Sequence, residues 1–186
     1  MPFLSFGSKK NKIKKLIEEE RFDEVTSMAV KDKKALQALI ELLDEKVPGI
    51  RGDALLLLGI LARESPASLE SHVENLFPKA LELTKDRNSY VRENAMVLSY
   101  ELAQNFKDML SSLREGTAEV LLQELEEGDK NLKGFALLMA GELGLKGLRA
   151  HVEELVSVED KVILPFEGKK WVSLSDIAKE ALEKLS

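Results

Sequence analysis

The stretch Ile50–Ala62, "IRGDALLLLGILA", has a counterpart 41 residues further on in Val91–Ala103, "VRENAMVLSYELA", and a second after another 41 in Leu132–Gly144, "LKGFALLMAGELG". Five columns keep their character at this shift: the aliphatic Ile50, Val91 and Leu132; the basic Arg51, Arg92 and Lys133; the small Ala54, Ala95 and Ala136; and the apolar pairs Leu57 to Leu61, Leu98 to Leu102 and Met139 to Leu143. Apolar residues three and four apart form one stripe of an α-helix, so each copy predicts a core-facing helix of several turns. Each is preceded by another segment in the same register: Ala35–Glu45, Leu76–Asp86 and Thr117–Glu127. The joints "KVPG", "RNSY" and "GDKN" are rich in turn residues. The repeating unit is therefore a helical hairpin.

One hairpin cannot bury both of its apolar faces, whereas hairpins stacked side by side share a continuous core. This explains why "ALLLLGILA" is apolar on more than one face: an inner helix meets its own partner and the units on either side. The rest of the composition agrees. Leu, Ala, Glu and Lys dominate a chain of 186 residues that is 32% charged and only 5% aromatic, a balance that favours helix over strand. An all-α protein forming a single domain over residues 1–186 is expected.

At this point the residues resemble a known family: a period of 41 built from paired helices is similar to the HEAT-repeat, armadillo-like α-solenoid. The resemblance implies a ladder of hydrogen bonds between successive units, made by an acid at the inter-helix turn and a base six positions later. The ladder residues would be Glu45 with Arg51, Asp86 with Arg92, and Glu127 with Lys133. It also implies a proline in the first helix of a unit. Pro78 fits, while Gln37 and Glu119 stand at the matching positions of the flanking units.

The ends depart from the repeat. Residues 10–31 read as an amino-terminal helical cap, with helices from about Lys10 to Glu20 and from Phe22 to Ala29 after a tail over residues 1–9. Repeats follow at 32–64, 67–106 and 108–146, and a terminal unit at 149–186. Inside that last unit, "KVILPFEGKKWVSL" (161–174) has the β-branched and aromatic residues of a small β-hairpin insertion. It contains the single tryptophan, Trp171, expected either to help lid the last core layer or to offer an aromatic contact. Ser175 stands where the ladder bases stood, so the ladder should stop there.

Charge and composition narrow the function. With 33 acids against 27 bases, the net charge of −6 repels phosphate backbones and anionic lipid on average, which disfavours nucleic acid as a partner. The absence of cysteine excludes disulfides and thiolate metal sites. No secretory signal or membrane-spanning run is read, so a cytoplasmic protein is expected. The first fifteen residues carry +5 and the remainder −11. A membrane surface reached through residues 1–15, where Phe3, Leu4 and Phe6 precede five lysines, is therefore the alternative partner.

Chemistry is hard to find. His72 and His151 occupy look-alike segments, "SHVENL" and "AHVEEL", that read as helix openings. No nucleotide, hydrolase or metalloprotease signature occurs, and the glycines of "GELGLKG" read as a helix stop. No enzyme activity, catalytic residue, metal or cofactor is expected. A second alternative, a HEAT-like DNA-binding protein or alkylpurine glycosylase, wants a basic concave stripe, and the inner-helix positions here are mainly acidic. The resemblance instead implies a protein–protein interaction scaffold whose second helices line a concave face. The candidates for contact are Glu93, Asn94, Val97, Tyr100, Glu101 and Gln104, with Tyr100 as the aromatic anchor.

Overall fold

The computed structural model describes the backbone of residues 2–186 and the side chains of residues 9–186. The chain divides into two compact units, Met1–Glu101 and Leu102–Ser186.

The first unit contains α1 (Pro2–Glu18), α2 (Phe22–Lys31), α3 (Lys33–Glu41), α4 (Pro48–Glu64), α5 (Val73–Leu83) and most of α6 (Ser89–Asn105). Helix α1 begins at Pro2, not near Lys10, so most of the expected tail is helix. Proline suits the first helical position, where its fixed φ fits and its missing N–H removes no bond. The apolar trio Phe3, Leu4 and Phe6 lies outside the residues whose side chains are described. From Lys9 onward α1 turns Ile13, Leu16 and Ile17 inward. Just past its end stands Glu20, whose φ of 59° is left-handed, with Arg21 N–H donating back to the Leu16 carbonyl at 2.9 Å. That geometry closes a helix end in the manner usually given to glycine.

Side-chain caps mark the starts of α3 and α6. Asp32 accepts from Lys34 N at 2.9 Å ahead of α3, and Asn88 accepts from Tyr90 N and Val91 N at 2.9 and 3.2 Å ahead of α6. Helix α4 starts on Pro48 and buries Ile50, Ala54, Leu55, Leu57, Leu58, Leu61 and Ala62, leaving only Leu56 and Ile60 of its apolar residues half-buried. Its near-total burial is that of a helix enclosed on several sides. Pro78 lies within α5 on its exposed side, where water can satisfy the carbonyl that loses its donor.

The second unit contains the end of α6, then α7 (Arg114–Glu127), α8 (Lys130–Glu142), the short α9 (Arg149–Glu153), strands β1 (Lys161–Ile163) and β2 (Lys170–Ser173), and α10 (Leu174–Leu185). Helix α8 is buried without a break from Gly134 to Gly141 between α7 and α10. Two of its glycines make room for neighbours. A Cβ on Gly141 would lie 3.1 Å from the Ala181 backbone of α10, and one on Gly134 would lie 3.3 Å from Val162 and 3.4 Å from Leu164 of the hairpin. Gly144, at φ 62°, ends α8 as the sequence indicated.

The strands form a two-stranded antiparallel hairpin as expected. Its register passes from Val162 opposite Val172 to Ile163 opposite Lys170, so Trp171 is the extra residue of a β-bulge. Val162 and Leu164 are buried at 0% and 1% exposure against α8 and α10, and they cover the core layer. Trp171 is not part of that cover: it is 68% exposed. Its φ of 58° costs a non-glycine residue about 1–3 kcal/mol. Ser175, at the position of the ladder bases, is buried and donates from Oγ to the Val156 carbonyl at 2.5 Å, anchoring the connection that leads into β1.

Candidate binding face on the inner helices

The ladder positions lead to the site. Arg51 opens α4, and its Nη1 donates to the backbone carbonyls of Glu45 and Lys46 at 2.8 and 3.0 Å. Its Nη2 spans to the next hairpin and donates to Asp86 Oδ2 and Oδ1 at 3.0 and 3.2 Å. Arg92 repeats the first half, donating to the carbonyls of Asp86 and Arg87 at 2.9 Å each. Within a unit the base therefore meets the acid residue's backbone, and the carboxylate serves the base of the preceding unit. The Glu45 carboxylate accepts instead from Lys14 of α1 at 2.5 Å, a bond that holds it below the usual carboxylate range and raises the lysine. Asp32 is likewise lowered, first by its bond with Lys9 at 2.8 Å. Two of the five lysines proposed for a membrane are thus occupied inside the first unit. Glu127 and Lys133 both belong to the second unit, Glu127 exposed at the end of α7 and Lys133 half-buried on α8.

The candidate contact residues all lie on α6. Glu93 is exposed, while Asn94, Val97, Tyr100 and Glu101 are half-buried. Gln104 is exposed on the part of the helix counted with the second unit. The Asn94 amide donates to the Tyr90 carbonyl one turn back at 2.9 Å.

The structure adds a row on α4 that the sequence reading passed over. Asp53, Leu56 and Ile60 are half-buried and Arg63 is exposed. Shifting Asn94, Val97, Glu101 and Gln104 back by the 41-residue period gives these four residues, so the signal was in the repeat itself. Three contacts tie the rows together. The Tyr90 hydroxyl donates to Asp53 Oδ1 at 2.6 Å, Arg63 pairs with Glu101 at 3.4 Å, and Val97 lies over Gly59, 3.8 Å from where a Cβ would be. Burial, with the bond to Asp53 next, raises the Tyr90 hydroxyl far above the ordinary phenol range, so it stays a protonated donor. Gly52 is what admits the ring: a Cβ there would lie 2.2 Å from Tyr90 Cδ2.

The resulting face alternates half-exposed apolar groups (Leu56, Ile60, Val97, Tyr100) with the carboxylates Asp53, Glu93 and Glu101, and Arg63 pairs with the last of these. Such a surface can grip an extended chain by its aliphatic parts and attract positive charge.

The histidines do not share one role. His72 immediately precedes α5. His151 is inside the five-residue α9 and not at its start, with Nε2 3.3 Å from the Glu126 carboxylate. Among the described residues no group of three or more His, Cys, Asp or Glu side chains is placed to hold a metal ion, and no helix is long and apolar enough to cross a membrane.

No family model matches the chain, and no curated protein matches it. Solved structures do. An engineered protein superposes with a TM-score of 0.66 at 16% identity, over 96% of this chain and 79% of its own. A designed armadillo repeat protein gives 0.60 at 17% identity, covering 95% and 87%. A second one, solved in complex with the peptide (KR)4, gives 0.60 at 16% identity over the same shares. At such identities the likeness concerns the fold, and it agrees with the hairpin period, the inner-helix burial and the bonds of Arg51: this chain has a HEAT/armadillo-like helical-repeat fold.

Proposed function

We propose that the protein is a non-enzymatic binding scaffold, and that the α4 and α6 face of its first unit takes an extended, positively charged segment of a partner protein. The observation that carries this is the interleaving of half-exposed Leu56, Ile60, Val97 and Tyr100 with Asp53, Glu93 and Glu101 on one pair of helices. A solvated helix face needs no such apolar row, and the carboxylates exceed the cation that accompanies them. The peptide-bound armadillo neighbour supports a scaffold of this kind. Tyr100 supplies rigid area with a polar tip, and Glu93, Asn94 and Glu101 supply polar contacts.

The test is titration of a labelled peptide of four Lys-Arg repeats into the full chain. Binding should be saturable, should weaken at least tenfold in Tyr100→Ala and in Glu101→Lys, and should fall with added salt. Equal binding by both variants and the parent removes the assignment. The membrane alternative through residues 1–15 gains nothing from the ion pairs of Lys9 and Lys14, which already have carboxylate partners.

A further inference from the structure

Within the second unit, a small hollow of about 20 Å³ lies at the start of α7, beside the segment that leaves the end of α8. Its polar lining is Lys107, Ser111, Arg114 and Thr117, backed by Leu110, Leu143 and Leu145. No carboxylate of the described residues lines it, in a chain whose net charge is −6. Asp108 and Glu115, the acids nearest in sequence, are exposed and outside the lining.

Three observations single this hollow out. Thr117 is only 5% exposed, and its hydroxyl makes no hydrogen bond to any described residue, whereas buried polar side chains as a rule have a partner in the protein or in bound solvent. Arg114 donates from Nη2 to the Gly144 carbonyl at 2.6 Å, which pins the guanidinium at the rim and leaves its other N–H groups without a described acceptor. Neither Arg114 nor Lys107 has an ion-pair partner among the described residues. The hollow also sits on the first turn of a 14-residue helix, at the positive end of its dipole. The Ser111 hydroxyl is already committed to the Asp108 carbonyl at 2.7 Å and donates nothing here.

We propose that this hollow binds a single chloride ion or another anion of that size. Thr117 Oγ1 and the free N–H groups of Arg114 donate to the ion, Lys107 faces it from the exposed side, and the leucines keep water from the other. Volume sets the class of ligand: there is room for one water-sized centre, so phosphate and sulfate are too large. A water molecule meets the need of the hydroxyl but neutralises neither cation, whereas an anion does both through charge-assisted bonds. Once bound, the ion joins the turn before α7 to the end of α8 and so braces the third hairpin.

The test is thermal unfolding of the full-length chain in sodium chloride and in sodium gluconate at equal ionic strength. Chloride at ten times its Kd is expected to raise the melting temperature by about 3–6 °C over gluconate, in a saturable manner. Bromide should reproduce the rise and sulfate should not. Thr117→Val should weaken chloride binding at least tenfold, while in gluconate it melts no lower than the parent, because the hydroxyl it removes has no protein partner. Arg114→Met should melt lower in both salts, having lost the bond to Gly144, and show no chloride increment; Glu93→Lys should keep the full increment. Crystals soaked in bromide should give one anomalous peak within about 3.5 Å of Thr117 Oγ1. The proposal is overturned by equal rises in chloride, gluconate and sulfate, by a full chloride increment in Thr117→Val, or by a lower melting temperature of that variant in gluconate. It is overturned equally by a hollow that holds water only, or an adventitious ion only, seen in the crystal without the saturable rise in solution.

Discussion

The bond network of Arg51 makes the sharpest stability prediction, because one guanidinium donates four hydrogen bonds to two carbonyls and one carboxylate. The Arg51 and Asp86 side chains retain 16% and 14% exposure. The pair therefore lies between exposed ion pairs, which contribute about 0–1 kcal/mol, and buried ones, whose one-sided removal costs about 3–5 kcal/mol. Hydrogen bonds to charged groups are individually worth about 1.5–3 kcal/mol, and water can reach some of the acceptors left behind. Arg51→Met, which keeps most of the apolar stem, is expected to cost about 2–3 kcal/mol. Asp86→Asn should cost less, about 1–2 kcal/mol, since its side chain can still accept from Asn88 N, now at 2.9 Å. If the two side chains couple, the double variant loses less than the sum by about 1–1.5 kcal/mol. The assay is urea unfolding followed by helix circular dichroism, with a common m-value across the cycle. The Lys79 and Asp44 pair is the control: Asp44 is 70% exposed, so its coupling should stay below about 0.5 kcal/mol and vanish in high salt. A coupling for Arg51 and Asp86 no larger than that control refutes the idea that this bridge joins successive hairpins.

Two further outcomes follow from the first unit. Gly52→Ala should destabilise despite a helix-propensity gain of about 1 kcal/mol, because the new methyl evicts the Tyr90 ring and breaks its bond to Asp53. In a Tyr90→Ala background the same change should become stabilising, a reversal of sign that thermal melts can read. Acid should weaken the joint between α1 and its neighbours. Asp32 and Glu45 have folded-state values lowered by Lys9 and Lys14, so their contribution is complete above the ordinary carboxylate range and disappears as pH falls through the lowered values. Lys14→Met should lower stability above the carboxylate range and flatten the fall towards acid, as denaturant midpoints measured across the acid range will record.

The architecture was legible because repetition multiplies a weak signal: the columns at Ile50, Val91 and Leu132 identify inner helices that no single copy would have fixed. The same repetition pointed to Arg51 and Asp86 but could not say which group each would meet. Six-residue spacing within a unit brings the base to a backbone carbonyl, and its carboxylate partner comes from the next unit, 35 residues away. The α4 row of Asp53, Leu56, Ile60 and Arg63 carries no aromatic residue to mark it as a contact surface, although the 41-residue period sets it in register with α6. Trp171 was illegible for a different reason. Period-two reasoning assigns strand faces only while the register is regular, and a single extra residue at the bulge re-aims the side chain. The early start of α1 was hidden because its first turns lie outside the apolar pattern used to find helices.

The most direct test of the scaffold account is to record backbone amide spectra of the isotopically labelled full chain while adding the peptide of four Lys-Arg repeats. The account predicts saturable shifts confined to residues around Asp53, Leu56 and Ile60 on α4 and Glu93, Val97 and Tyr100 on α6, with the hairpin at Trp171 unmoved. Shifts centred on the hairpin, or spread evenly over exposed acids without saturation, would contradict it.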